Sequence, residues 1–526
     1  MPVWNFAGIW SSIARVAPER TAVVCGDHRL TYGGLDDRAR RLASHLFERG
    51  LRPGDKVAID LVNRPEYLET FFAASLLGCV PVNVNYRYVA EELAYLLGNA
   101  DAAALVVEPA FAAVAREAVA SMPVGDRPLV LETGSSYEDA IGAAAPVGAW
   151  DRRPPSADDL VFLYTGGTTG MPKGVMWRHE DLYLALWEIS RPGVEPKDPL
   201  ALVSEGKRAA TSLPASPLMH GTSLFVAITT LAGGGTVVLL DHAHLDPVEI
   251  WDAVARERVQ ILSIVGDVFA RPLLAALDAE PNRWDLGSIG AITSSGVTWS
   301  PDTKRGLLRH LPDTKLLDSL GASEGLMTRS VHSAGDAEIR PARFAITDRL
   351  RVVTDDGRFV EPGSGEIGLV AVGGHIPLGY YKDPEKSAAT FRTVAGTRFS
   401  IPGDHATVET DGTITLLGRG SACINTGGEK VYPEEIEGLL RSCSGVLDCV
   451  VVGVPDERFG ERVVALVQAA GGHDIDETAL VELCREHLAG YKRPKQFVFL
   501  ESLHRSAAGK ANYKLLRELA VERTGS

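Results

Sequence analysis

The chain has 526 residues, of which 45% are hydrophobic and 23% are charged, so it is long enough for more than one domain with an ample core. Its formal net charge is −15. An acidic surface argues against nucleic acid as a partner, because phosphate backbones are recognised by patches of lysine and arginine.

The six cysteines are scattered, and no pair has the C-x-x-C spacing of a zinc or redox motif. Scattered thiols in a chain of this size are typical of a reducing compartment. The N-terminus lacks a basic segment followed by an apolar one, and no stretch of about 18 apolar residues occurs. We therefore expect a cytoplasmic protein without a signal peptide and without stable membrane insertion.

The first part of the chain alternates helical and strand patterns. Apolar residues recur at helical spacing from residue 35 to residue 46, and Gly50 is suited to end that helix. Short apolar runs that predict strands occupy residues 57–59, 104–107, 236–240 and 261–265. Helices between such runs indicate α/β layers with largely parallel sheets. Residues 348–417 are denser in short strands and turns, which predicts a small β-rich subdomain.

The pattern changes near residues 418–421. The following segments predict helices over 434–440 and 476–488 and strands over 446–454, 463–469 and 496–500. About 105 residues of this kind form a compact α+β domain. The predicted organisation is an N-terminal domain over 1–418, a hinge over 419–421 and a C-terminal mobile domain over 422–526.

A glycine-rich loop, residues 164–174, directly follows an apolar run that predicts a buried strand. Glycines let a backbone approach an anion closely, threonine hydroxyls add donors, and Lys173 adds a positive charge. This composition predicts a phosphate-binding loop. The loop is not a Walker A motif, because Lys173 follows Pro172 and precedes Gly174, and no G-x-G-x-x-G opens a helix.

The loop resembles the signature of adenylate-forming enzymes, which comprise acyl-CoA synthetases, luciferases and the adenylation domains of peptide synthetases. The resemblance extends from about Asn5 to about Arg517 and includes further motifs in the same order. It implies ATP, Mg²⁺ and, in the CoA ligases, CoA. By this resemblance the triphosphate is held by Thr165, Gly166, Gly167, Thr168, Thr169, Gly170 and Lys173.

A second segment, residues 318–324, resembles the Tyr-Gly-x-Thr-Glu motif of the family. By that match Ser323 contacts phosphate and Glu324 ligates Mg²⁺, a hard cation that prefers carboxylate oxygen. Asp318, the first residue of this segment, is also predicted to bind the nucleotide. Leu320 stands where the family often has an aromatic residue against the adenine, so the stacking contribution is left open.

The ribose and the reacting groups have candidates of their own. Asp404 resembles the aspartate of the family's Thr-Gly-Asp, which accepts hydrogen bonds from the ribose hydroxyls, and Arg419 is the second ribose contact. Lys510, near the C-terminus, resembles the lysine that bridges the carboxylate and the α-phosphate, where its charge offsets the repulsion between two anions.

Further candidates concern the acid and the acceptor. The resemblance places His220 near the acyl carboxylate and the path of the thiol, and it counts Ser295 and Gly296 with the cofactor-binding residues. Gly427 and Gly428 leave room for a pantetheine chain. The set of motifs resembles actinobacterial fatty-acid and sterol-side-chain CoA ligases. Where many relatives carry Asp or Lys at the hinge, this chain has Ser421, which leaves the energetics of domain rotation open.

These motifs predict an ATP-dependent carboxylic acid–CoA ligase that forms acyl-AMP and pyrophosphate and then a thioester. The alternative is a biosynthetic adenylate-forming enzyme that passes the activated group to an amine or to a small nucleophile such as nitrite. A nucleotide-binding regulatory protein without turnover is a third hypothesis. We expect no carrier-protein domain after residue 526. The predicted partner is the carboxylic acid substrate, and a homodimer is left open.

Overall fold

The computed structural model describes residues 3–148, 153–167, 170–204, 209–241, 244–296, 299–336, 344–419, 424–426, 429–456, 460–471, 475–488, 490–505 and 511–525. The helices are α1 (Phe6–Val16), α2 (Tyr32–Glu48), α3 (Pro65–Leu77), α4 (Ala90–Ala100), α5 (Ala112–Ser121), α6 (Ser135–Ala143), α7 (His179–Ser190), α8 (Pro199–Ser204), α9 (Gly221–Ala232), α10 (Pro247–Glu257), α11 (Gly266–Ala279), α12 (Pro301–His310), α13 (Pro384–Thr390), α14 (Pro433–Leu440), α15 (Glu477–His487) and α16 (Tyr513–Thr524).

The strands before residue 345 are β1 (Thr21–Cys25), β2 (His28–Thr31), β3 (Lys56–Asp60), β4 (Val80–Asn83), β5 (Ala102–Val107), β6 (Leu129–Glu132), β7 (Leu160–Gly167), β8 (Gly170–Arg178), β9 (Thr211–Pro214), β10 (Thr236–Leu239), β11 (Ile261–Ile264), β12 (Ala291–Ser295), β13 (Lys315–Ala322), β14 (Gly325–His332) and β15 (Phe344–Ala345). The later strands are β16 (Leu350–Val353), β17 (Gly368–Val372), β18 (Gly379–Tyr380), β19 (Phe391–Val394), β20 (Thr397–Ser400), β21 (Asp404–Val408), β22 (Thr413–Arg419), β23 (Ile424–Thr426), β24 (Glu429–Val431), β25 (Val446–Asp456), β26 (Gly460–Ala469) and β27 (Gln496–Leu500).

Sheet A has the strand order β14-β13-β12-β11-β9-β10-β1-β2 among the described residues. Its strands from β13 to β1 are parallel, and only the two edge pairs, β13–β14 and β1–β2, are antiparallel. The chain passes from β9 to β10 on one side and then to β11 on the other. A switch of direction of this kind opens a crevice at the carboxyl ends of the two central strands, here β9 and β11, where α/β proteins bind ligands.

Sheet B has the order β18-β8-β7-β4-β3-β5-β6 and repeats this plan. The pairs β4–β7, β3–β4, β3–β5 and β5–β6 are parallel, while β8 pairs antiparallel with both β7 and β18. Apolar residues fill the strands because helices cover the sheet; β4, for example, is buried at all four positions. β18 comes from more than 200 residues later in the chain than β8 and extends the edge of this sheet.

Two further sheets follow along the chain. Sheet C is mostly antiparallel, with the order β15-β22-β21-β17-β20-β19 and with β16 paired to β17. Sheet D has the order β24-β23-β26-β25, with β27 paired in parallel to β26. Helices α14 and α15 cover an apolar cluster on sheet D, and α16 packs on a second one. These elements form the β-rich subdomain and the α+β domain that the sequence predicts.

The chain divides into two compact units: Met1–Ala342 with Gly373–Arg392, and Arg343–Val372 with Thr393–Ser526. Sheets A and B lie in the first unit, and sheet D lies in the second. The predicted fold class, layered α/β sheets with a small C-terminal domain, is confirmed. The hinge predicted over 419–421 stays a prediction, since residues 420 and 421 are outside the described part of the chain.

Several predicted elements agree with the structure to within a few residues, among them α2, β3, β5, β10 and β11. The predicted helix over 476–488 is α15, which ends at His487, one residue earlier. Among the described residues, none of the helices combines the length and the apolar character that crossing a membrane requires.

Candidate functional site

The predicted phosphate loop is a β-hairpin. β7 continues through Gly167 and pairs with β8, so that Thr165 lies opposite Lys173 and Gly167 lies opposite Gly170. The sequence predicted a strand only over the apolar run before the loop; the pairing across the hairpin extends it, because it satisfies the backbone groups of the glycines. The turn itself, Thr168 and Thr169, is outside the described residues.

Gly174 permits the close contact at the base of this hairpin. It lies opposite Tyr164, and a Cβ added at Gly174 would stand 2.6 Å from the nearest carbon of the Tyr164 ring. The hydroxyl of Tyr164 donates to Oδ1 of Asn99 at 2.6 Å, which fixes the ring. The glycine is therefore needed for packing, in addition to any part it has in binding an anion.

Lys173 extends from β8 to the segment that follows β18. Its Nζ lies 2.5 Å from Oδ2 of Asp383, and this ammonium holds the pKa of the Asp383 carboxyl below its ordinary value. The same Nζ lies 5.9 Å from the centre of the Tyr380 ring. Both partners of the ion pair are partly exposed, and such pairs are weak, so an incoming phosphate can replace the carboxylate.

Glu324 follows β13 and is held by the same tyrosine. Tyr380 donates its hydroxyl hydrogen to Oε1 of Glu324 at 2.7 Å. The neighbouring Ser323 accepts a hydrogen bond through its backbone oxygen from Nε1 of the buried Trp177, at 2.8 Å. Tyr380 therefore joins two residues that the sequence assigned to different ligands, Glu324 to the metal and Lys173 to phosphate.

The surroundings of Glu324 fit a magnesium ion. Oε1 of Glu324 is oriented by Tyr380, and no hydrogen bond to its Oε2 is found among the described residues. Mg²⁺ takes one or two protein carboxylates and completes its coordination with water and substrate phosphates. A cluster of three or more His, Cys, Asp or Glu that could hold a metal does not occur in the described part of the chain.

Two buried asparagines fix the loop that carries His220. Asn63, after β3, donates to the backbone oxygens of Pro214 and Ser216 at 3.2 and 3.0 Å and accepts from the backbone N–H of Leu218 at 2.6 Å. Asn83, at the end of β4, binds the same loop through Met219.

Asn83 also reaches the phosphate hairpin. It donates to the backbone oxygens of Met219 at 2.7 Å and Tyr164 at 3.0 Å, and it accepts from the N–H of Tyr164 at 2.6 Å. Each asparagine amide thus makes three hydrogen bonds to backbone groups of other segments. Through them the His220 loop, from sheet A, is fixed to the hairpin in sheet B.

His220 precedes α9 and lies beside the crevice at the carboxyl ends of β9 and β11. Thr222, in the first turn of α9, has its hydroxyl 2.6 Å from that of Ser295 at the end of β12. Gly296 follows with a φ of +87°, a conformation that suits glycine. Tertiary structure therefore brings His220, Ser295 and Gly296 to one edge of sheet A, and their shared ligand stays a prediction.

Asp318 has a different environment. It lies on β13, is 8% exposed, and its Oδ2 pairs with the fully buried ammonium of Lys304 from α12. Nε2 of His332 lies 3.6 Å from the same oxygen. The carboxylate that the sequence assigned to the nucleotide site is therefore held by Lys304 in a buried ion pair.

In the second unit, Asp404 begins β21 and Arg419 ends β22. The two are cross-strand partners in the register of sheet C. The remaining predicted site residues, Gly427, Gly428 and Lys510, are outside the described residues, and their roles stay predictions.

Residues 10–381 match the AMP-binding enzyme family, and residues 435–510 match the C-terminal domain of the AMP-binding enzymes. The chain belongs to the AMP-binding enzyme family. The family predicted from the motifs is thus confirmed.

Relatives of this AMP-binding enzyme include a medium/long-chain-fatty-acid–CoA/3-oxocholest-4-en-26-oate–CoA ligase of Mycobacterium tuberculosis, 41% identical over 98% of this chain and 96% of the relative. A 3-oxocholest-4-en-26-oate–CoA ligase of Rhodococcus rhodochrous is 39% identical over 98% of this chain and 95% of the relative. The crystal structure of ATP-bound MatB from Rhodopseudomonas palustris has a TM-score of 0.80 and 28% identity, and covers 98% of both chains.

Sequence reasoning missed Tyr380, Asp383 and the two asparagines. Tyr380 lies 56 residues after Glu324, in a stretch that reads as part of the β-rich subdomain, and β18 is only two residues long. The available signal was the run Gly379-Tyr-Tyr-Lys-Asp383, which places aromatic and charged residues directly after a glycine. Only the pairing of β18 with β8 shows which site that run serves.

Proposed function

We propose that this AMP-binding enzyme is an ATP-dependent CoA ligase for extended apolar carboxylic acids, of the medium- to long-chain fatty or sterol-side-chain class. The acid and ATP form acyl-AMP and pyrophosphate, and the thiol of CoA then displaces AMP to give the thioester. The names of the relatives that match nearly the whole chain support the substrate class. The lack of C-x-x-C motifs and the scattered thiols support a cytoplasmic location.

The observation that carries the proposal is the convergence of Lys173 and Glu324 on Tyr380. A lysine that can exchange Asp383 for phosphate lies beside a carboxylate with one oxygen available to a cation. Phosphoryl chemistry depends chiefly on positioning and on stabilising negative charge, and these two groups supply both. A magnesium ion held by Glu324 would neutralise charge on the phosphate oxygens.

Other roles in the proposal follow the family resemblance. Thr165, Gly166 and Gly167 hold the triphosphate with the rest of the hairpin, and the Asp404–Arg419 pair holds the ribose.

His220 and Thr222 lie beside the acid. Lys510 offsets the charge between the carboxylate and the α-phosphate, and Gly427 with Gly428 gives the pantetheine arm its path. Division into 1–418 and 422–526 about a hinge at 419–421 belongs to the same proposal.

The test is pyrophosphate release with Mg²⁺-ATP over fatty, aryl and sterol-derived acids, each with and without CoA, with mass spectrometry of the product. We expect release that increases with CoA, together with a thioester. Release with an acid but without a thioester would identify a different acceptor and exclude the ligase. In a second arm, Lys510→Ala should stop pyrophosphate release while ATP still binds.

A further inference from the structure

A row of polar side chains crosses three neighbouring strands of sheet A. Ser295 on β12 is the register partner of Ser319 on β13, and Ser319 is the partner of Arg329 on β14. Side chains at partner positions lie on the same face of a sheet. The row begins at the hydroxyl of Thr222, 2.6 Å from that of Ser295, and ends where Nε of Arg329 donates to Oγ of Ser319 at 3.0 Å.

Arg329 has no acidic partner in the described part of the chain. Its hydrogen bond to Ser319 uses one of five N–H donors. Burial lowers the pKa of Arg329 to about 10, and no carboxylate acts in the opposite direction. The guanidinium is nevertheless charged at neutral pH, so the fold keeps a partly buried cation without an acidic partner among the described residues.

The acids on neighbouring elements are engaged by other cations. Asp318 adjoins Ser319 in β13 but points to the opposite face and pairs with Lys304. On α7, which packs against β14, Glu180 and Asp181 pair with Arg178 at 3.0 and 3.3 Å.

Glu188, also on α7, is not among the groups that shift the pKa of Arg329. Arg329 therefore differs from Lys173 and Lys304, each of which faces a carboxylate.

Arg329 is partly exposed, so its guanidinium is within reach of a ligand, and an anionic ligand group would supply the opposite charge that the described residues lack. The row connects Arg329 to the edge where His220 and Thr222 lie. Two strand spacings separate Ser295 from Arg329, which is about 10 Å. An extended ligand of about this length would reach both ends of the row, with one end near Thr222 and the other at Arg329.

We propose that Arg329 and Ser319 bind a second carboxylate of the substrate, and that the enzyme prefers dicarboxylic acids with an apolar spacer over monocarboxylic acids of equal length. This inference rests on the proposed function, which it narrows to acids with a distal anionic group. One carboxylate is activated near Thr222, and the other accepts hydrogen bonds from the guanidinium and the serine hydroxyl.

The test compares kcat/KM for thioester formation with decanedioic acid and decanoic acid, matched in length. We expect the wild type to favour the diacid by at least about tenfold, the effect of a charge-assisted hydrogen bond. Arg329→Met should lose that preference and Arg329→Lys should keep part of it. Arg309→Met removes an exposed arginine of α12 and serves as the matched control, with an unchanged ratio.

A second measurement does not depend on a variant. Because the diacid supplies the missing charge, it should raise the Tm of the wild-type protein more than the monoacid does at equal concentration. If the wild type forms thioesters but does not distinguish the two acids, the inference is wrong while the proposed function stands.

The same assays separate a failure of the proposed function from a failure of the inference. If no acid yields a thioester, the proposed function fails. If Arg329→Met raises the KM for ATP and leaves the ratio of the two acids unchanged, the anion is a phosphate and the inference is overturned. The inference is also overturned if the Arg329→Met variant folds normally and prefers the diacid as strongly as the wild type does.

Discussion

At the residue scale, the hydroxyl group and the aromatic ring of Tyr380 contact different site residues. The hydroxyl orients Glu324 at 2.7 Å, and the ring faces the ammonium of Lys173 at 5.9 Å. The hydroxyl can be removed while the ring is kept. The neighbouring Tyr381 offers a control, because its hydroxyl contacts Lys56 at 3.0 Å and Asp101 at 2.8 Å, away from Glu324.

We expect Tyr380→Phe to lower the rate of pyrophosphate release about tenfold to a hundredfold and to raise the Mg²⁺ concentration required for half-maximal rate. The reason is that Glu324 loses the bond that orients it, and small displacements in such sites are costly. Steady-state kinetics with varied Mg²⁺ would measure both. Tyr381→Phe should change neither, and equal effects of the two variants would contradict the assignment.

At the element scale, the hairpin of β13 and β14 is attached to α12 by one buried ion pair. Lys304 is fully buried, its ammonium meets Asp318, and it lies 5.5 Å from the centre of the Trp299 ring. This hairpin carries Glu324 between its strands. Removal of one charge would leave the other buried and unpaired, which is more unfavourable than the loss of both.

We therefore expect Lys304→Met to lower the free energy of unfolding by about 3–5 kcal/mol. The double variant Lys304→Met with Asp318→Leu should recover most of that loss, because no charge is then left unpaired. Denaturant unfolding followed by circular dichroism would measure both. If the double variant were as unstable as the single one, the loss would come from packing around Trp299 instead.

The strands themselves were predictable because burial on both faces of a parallel sheet requires continuous apolar runs, as in β3, β5 and β11. Strand β18 could not be predicted from the sequence, because a strand of two residues is too short to show an alternation of apolar and polar residues. The register that places Thr165 opposite Lys173 was also beyond the sequence, because the glycines of the hairpin leave few side chains to specify it.

At the scale of the whole molecule, stability should depend on pH through Asp60. This residue ends β3, is 2% exposed, and its pKa is raised to about 7, chiefly by burial and further by Glu108. In the unfolded chain an aspartate titrates near pH 4. Between about pH 4 and pH 7 the folded state therefore binds the extra proton, and stability falls as the pH rises through that window.

We expect Asp60→Asn to raise the Tm by a few degrees at about pH 8 and to change it little near pH 4, since the amide keeps the shape of the carboxyl without a charge. Thermal unfolding at the two pH values would measure the difference. An equal change at both would show that the effect comes from packing or hydrogen bonding and not from the charge.

The sequence by itself determined the family and the fold class, because binding a nucleotide requires particular residue types at short spacings along the chain. The glycine–threonine loop, Glu324 and Asp404 were assigned to ligands in the same way, and these assignments stay predictions. Only the tertiary structure decided which of these residues share a partner. Tyr380 joins Lys173 to Glu324, Lys304 holds Asp318, and Arg329 lacks an acidic partner in the described part of the chain. These relations depend on strand pairing between distant segments, and contacts of that kind have no local signal in the sequence.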